Sequence, residues 1–107
     1  MRLKDDSVET NLSNELLLGI IALSSIYKRH GQEIIITSGS EKTTKHMENS
    51  KHYSGNAIDI RSRNTPSYML KTIQQDVRDS LPNYQYIIEN DHCHFEYDLK
   101  QTKTKKK

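Results

Sequence analysis

Three of the five histidines fall in two short segments that also hold aspartate, Ser50-Lys51-His52-Tyr53-Ser54-Gly55-Asn56-Ala57-Ile58-Asp59 and Asp91-His92-Cys93-His94-Phe95-Glu96. Two neutral imidazoles and one carboxylate form a borderline-soft donor set suited to zinc, and three protein ligands leave a fourth tetrahedral position for water. His52, Asp59 and His94 are the expected ligands of one Zn2+ ion, with Gly55 and Ala57 small enough to let the chain close around it. An open position implies catalysis. Zinc-bound water titrates near about 7 and the ion polarises a carbonyl beside it, which is what amide hydrolysis at neutral pH requires. His92 shares a strand face with His94 and is assigned to transition-state stabilisation or proton transfer. A lone His-x-His on a strand is ordinarily a solvated or satisfied pair, so the metal reading rests on the two segments together.

The elements that hold these segments follow from local pattern. Asn90-Asp91 is a two-residue turn signal between residues 84–89 and 92–97, which predicts an antiparallel hairpin pairing Glu89 with His92 and Ile87 with His94. Alternation then puts Tyr84, Tyr86, Ile88, Cys93, Phe95 and Tyr97 on an apolar face, and Gln85, Ile87, Glu89, His92, His94 and Glu96 on the other. Cys93 is thereby a small core residue. Leu12, Leu16, Ile20, Leu23 and Tyr27 predict a helix over residues 12–29, with Asn11 or Ser13 as cap, Gly31 as stop and His30 where a cation is favoured. Residues 33–37 read as a buried strand ending at Ser38-Gly39, residues 40–54 as a long polar surface loop, and residues 56–60 as another strand. Thr65 as cap and Pro66 in the first turn open a second helix over residues 66–80, with Met69, Leu70, Ile73 and Val77 inward and Leu81-Pro82-Asn83 as its end.

Length and charge bound the alternatives. One hundred and seven residues, 33% apolar and 28% charged, leave room for a single small domain of thin stability, which a bound metal would support. One cysteine excludes an internal disulfide. The longest apolar stretch, residues 16–23, is too short to cross a bilayer, and no export leader opens the chain, so synthesis in the cytoplasm is expected. The net charge of +2 divides unevenly: residues 98–107 hold five lysines and Asp98, leaving residues 1–97 at −2. The expected organisation is therefore one domain over residues 1–97 followed by a disordered basic tail over 98–107 that solubilises the chain or adheres weakly to anionic wall or nucleic acid.

The pattern Ser50-x-His52-x-x-Gly55-x-Ala57-x-Asp59-Ile60, followed by Asp91-His92-x-His94-Phe95-Glu96, resembles the zinc peptidases of the D-alanyl-D-alanine carboxypeptidase family, which includes phage endolysins and vancomycin-resistance dipeptidases. The likeness spans residues 36–97. It implies a small α+β domain of the hedgehog/DD-peptidase type, with helices packed on one face of an antiparallel sheet and a zinc cleft on the other. It also implies a zinc metallopeptidase acting on peptidoglycan peptides, either a D-Ala-D-Ala carboxypeptidase or an endolysin-like endopeptidase; a monomer is expected, and the missing leader fits a phage-encoded protein that reaches the host wall after release. His52, Asp59 and His94 match the family's ligands, and His92 its second active-site histidine. An acid three places before the last histidine commonly serves as base, which here is Asp91; the hairpin geometry instead puts Glu89 on the zinc face, and both stay candidates. The family's arginine after Ser-Gly is absent, since Ser40-Glu41-Lys42 follows Ser38-Gly39, leaving Lys42, Lys45, His46, Arg61 and Arg63 to replace it. The alternative reading is a catalytically impaired, zinc-stabilised binding module of the same fold. A metal-dependent nuclease using the lysine tail is weakest, because the tail has no aromatic residues to stack on bases, and no specific nucleic-acid partner is expected.

Overall fold

A computed structural model of the chain describes residues 1–5, 8, 10–39 and 55–98. In chain order the elements are β1 (Arg2–Leu3), α1 (Asn14–Arg29), β2 (Ile35–Ser38), β3 (Ala57–Arg61), α2 (Ser67–Ser80), β4 (Tyr84–Ile88) and β5 (His92–Tyr97). The strands form one five-stranded sheet in the order β1-β2-β3-β5-β4, giving a small α+β domain. The sheet is mixed rather than antiparallel throughout, because β1 lies parallel to β2. Two residues carry no readable alternation, so composition gave no sign of β1; the Arg2 and Lys4 amides hold it by donating to the Ile34 and Ile36 carbonyls.

The first helix begins where Ser13, extended in φ and ψ, accepts the Leu16 amide on its hydroxyl at 3.1 Å. Glu15 in its first turn and Lys28 and Arg29 in its last suit the helix dipole. His30 caps its far end, with Nε2 3.0 Å from Asp76 Oδ2 on α2. The second helix starts one residue later than the sequence predicts. Pro66 takes the cap position without a side-chain bond, and Thr65 instead donates its hydroxyl to Gln32 Oε1 at 3.0 Å, tying the loop to the turn after α1.

Leu16, Ile20, Leu23 and Tyr27 of α1 meet Leu70, Ile73 and Val77 of α2 over Ile58, Ile60, Cys93 and Phe95, all in one buried cluster. Burial of this kind stabilises by roughly 25 cal/mol per Å² of apolar surface, and it is what sets the opposite face of β3 and β5 in place. Gly19 makes room on α1 for the ring of Tyr84, which any Cβ there would enter; that ring stacks on Phe95 with centroids 5.3 Å apart, and its hydroxyl donates to the Glu15 carbonyl. Along the outer edge, the Gln74 side-chain amide of α2 donates to the Tyr86 carbonyl of β4 at 3.0 Å. No helix among the described residues is long and apolar enough to cross a membrane. The expected loop over residues 40–54 and the basic tail from residue 99 onward lie outside the described residues.

Candidate metal centre

Three rows of side chains cross β3, β5 and β4 on the face away from the helices. Arg61, His92 and Glu89 form the first row, Asp59, His94 and Ile87 the second, and Ala57, Glu96 and Gln85 the third. The hairpin register is the one the Asn90-Asp91 turn predicts: Ile87 pairs with His94, and the Glu89 amide donates to the His92 carbonyl at 2.8 Å. On the far side of β3 the ladder shifts between Ile36 and Ser38, so that buried Ser38 comes opposite Asp59. Such a bulge re-aims a side chain beside a site.

Asp59 is the hub. Its Oδ1 lies 3.2 Å from His94 Nδ1 and 3.6 Å from His92 Nε2. The other nitrogen of His94, Nε2, donates to Glu96 Oε1 at 2.8 Å. A carboxylate only accepts, so an imidazole bonded to two of them carries both protons. Burial by itself pulls the His94 pKa down; the hydrogen bonds to Asp59 and Glu96 outweigh it and push the value up to about 9. The His94 side chain is 16% exposed and that of Asp59 12%, so the pair is sheltered yet reachable. His92 is turned the other way: its Nδ1 donates to Asp91 Oδ1 at 2.6 Å, while Nε2 faces Asp59 and lies 3.6 Å from Glu89 Oε2.

The donor set can be tested against zinc. At metal–ligand bonds of 2.0 to 2.2 Å a tetrahedral ion holds its donor atoms roughly 3.4 Å apart, and the 3.2 Å between Asp59 Oδ1 and His94 Nδ1 fits that spacing. Glu96 supplies the outer carboxylate that metal-bound imidazoles generally use to fix ring and tautomer. Among the described residues no three of His, Cys, Asp and Glu form a complete ligand group, so the pair needs a donor from elsewhere. His52, the expected third ligand, lies outside the described residues, as do Ser50, Tyr53, Lys42, Lys45 and His46. Gly55, which leads from that segment into β3, has φ +76, and a Cβ on it would lie 2.6 Å from the Asn11 carbonyl oxygen; its own carbonyl accepts the Ser13 amide at 2.9 Å. Only glycine fits a left-handed position against that backbone.

Alternation sets Glu96 on this face, but no motif in the sequence assigns it a task. Its signal is its spacing of two from His94, which on a strand makes it a same-face neighbour. Scans against protein-family models and curated proteins return no match to the chain.

Proposed function

We propose that the protein is a zinc-dependent metallopeptidase of the hedgehog/DD-peptidase type that hydrolyses a peptide bond in bacterial peptidoglycan peptides, with His52, Asp59 and His94 holding one Zn2+. The observation that carries this reading is the pairing of Asp59 with His94 across β3 and β5, donor atoms 3.2 Å apart and Glu96 bonded behind the ring. His52 would bring the third donor from the segment that enters β3 through Gly55. Such an ion supplies a water acidified to near neutrality and a polarised substrate carbonyl.

The chain's own groups then divide the proton work. Asp91 holds His92 by Nδ1, which keeps Nε2 turned toward Asp59 and the reacting atoms, where it steadies the developing anion or hands a proton to the departing amine. Glu89 stands on the same side, 3.6 Å from that Nε2. This geometry favours Glu89 as the base that takes the water proton, with Asp91 acting through His92.

Metal analysis of the purified full chain, joined to mass spectrometry of muropeptides with a chelator-treated control, tests the proposal. The expected result is one zinc per chain and chelator-sensitive cleavage, with both lost in His52→Ala, Asp59→Ala and His94→Ala. Glu89→Gln should keep zinc and lose turnover. A chain without stoichiometric metal overturns the proposal, and one that holds zinc but cleaves no wall peptide is the binding module instead.

A further inference from the structure

The outward face of α1 carries no charge between Glu15 and Lys28, in a chain of which 28% is charged. Leu17 is 40% exposed, and Leu18 and Ile21 are each 66% exposed. Leu18 and Ile21 belong to a solvent-facing stripe, Asn14, Leu18, Ile21, Ser25 and Lys28, whose alternating four- and three-residue steps are the spacing by which one helix packs along another. Leu17 flanks it. Tyr68 of α2 and Ile87 of β4, by contrast, are each the one exposed large apolar residue of their element, and such single side chains are ordinary on a protein surface.

The stripe carries its own complement. Glu15 stands at its N-terminal end and Lys28 at its C-terminal end, and neither pairs with an opposite charge among the described residues. Bulky Leu17, Leu18 and Ile21 fill the first half, and small Ala22, Ser24 and Ser25 the second. A second α1 laid alongside in the opposite direction therefore matches acid to base and large to small at once. We infer that this face of α1 pairs with the same face of a second copy of the chain, antiparallel about a two-fold axis. In one register Glu15 meets Lys28 of the second copy, Leu18 meets its Ser25 and Ile21 its Ala22, and the symmetry repeats every pair. A parallel pair would set like charges together at both ends. The candidate metal centre lies across the sheet from α1, so both centres stay open in the dimer, and the pairing does not depend on zinc. α1 has 16 residues and spans about 24 Å, and one pair of such helices buries less than the roughly 1,600 Å² of a standard interface. The dimer is accordingly weak, with a Kd of about 10–100 µM, and the monomer expected from the sequence is its dilute form.

Sedimentation equilibrium of the full chain over about 1–500 µM, with chelator present so that no metal bridges two chains, tests the pairing. The mass should rise from the 12.5 kDa of one chain toward twice that value. Leu18→Glu and Ile21→Glu, at exposed positions that leave the core intact, should each stay monomeric throughout with unchanged urea midpoints in dilute solution. Tyr68→Glu should dimerise as wild type does. Glu15→Lys or Lys28→Glu alone should weaken the dimer by about 3- to 30-fold, because each turns two pairs repulsive, and the double variant should recover most of that loss. A wild type that is monomeric at the highest concentration overturns the inference, as does a dimer that survives Ile21→Glu or ignores the charge exchange. A monomeric wild type that instead floats with phosphatidylglycerol vesicles, and ceases to do so as Ile21→Glu, would assign the face to a lipid surface and overturn it equally.

Discussion

The two sides of β5 handle polar groups in opposite ways. On the core side, the Tyr27 and Tyr86 hydroxyls meet at 2.6 Å beside buried Cys93, and burial pushes all three pKa values up, so every group there stays neutral. One residue along the strand, the His94 imidazole is charged although burial opposes it, because carboxylates bracket it on both nitrogens. Desolvation wins where the only partners are hydroxyls and a thiol. Paired charge wins where two carboxylates converge. A strand can therefore serve as core wall and ionic site at once, provided the alternation keeps the two sets apart.

The largest expected contrast comes from truncating each side in turn. Phe95→Ala should lower the unfolding free energy by about 3–5 kcal/mol in urea denaturation, since it empties a fully buried site under the stacked Tyr84 ring. His94→Ala, on the other side, should keep a cooperative transition while abolishing zinc retention. A comparable unfolding penalty at both positions at about pH 10, where the metal-free His94 no longer carries its charge, would erase the distinction between the faces.

A smaller effect follows from pH. His94 titrates higher in the folded chain, at about 9, than the ordinary 6.5. Its bonds to Asp59 and Glu96 therefore stabilise the metal-free protein fully below about pH 6.5 and are lost as pH rises through about 9, a change of up to about 3 kcal/mol. Urea midpoints of the metal-free chain between about pH 6 and 10 measure it. The decline should vanish in His94→Ala; an equal decline there would assign it to other groups.

The smallest predicted change sharpens the outer carboxylate. Glu96→Ala should weaken zinc binding by about 10- to 100-fold in chelator competition while leaving stoichiometry at saturation intact. Glu96→Gln, which keeps an acceptor oxygen, should fall between. Unchanged affinity in both variants would leave Glu96 as a partner of the metal-free state alone.

Much of this arrangement was legible beforehand because it depends on period and turn chemistry. Asn90-Asp91 set the hairpin register, and the register in turn sorted Cys93 and Phe95 from His92 and His94. The spacing of Leu16, Ile20 and Leu23 found α1. What stayed hidden depends on contacts distant in sequence. The shift of register at β2 that brings Ser38 opposite Asp59 leaves no trace in residues 35–38 themselves. Thr65 has the residue type of a cap, yet Gln32, 33 positions earlier, claims its hydroxyl. The role of Glu96 requires knowing which way the His94 ring turns, and among five candidate cations only the strand pairing sets Arg61 beside His92.

The amide of Gln74 bears on how the molecule meets its own kind. β4 is the outermost strand on its side of the sheet, and Tyr86 belongs to the alternate set of residues whose backbone groups point away from β5. An unguarded border of that sort invites another chain to add itself and propagate the sheet into an aggregate. With the Tyr86 carbonyl already engaged from above by α2, an intruding strand must first evict a side chain, forfeiting about 1 kcal/mol at the point where it seeks its first foothold.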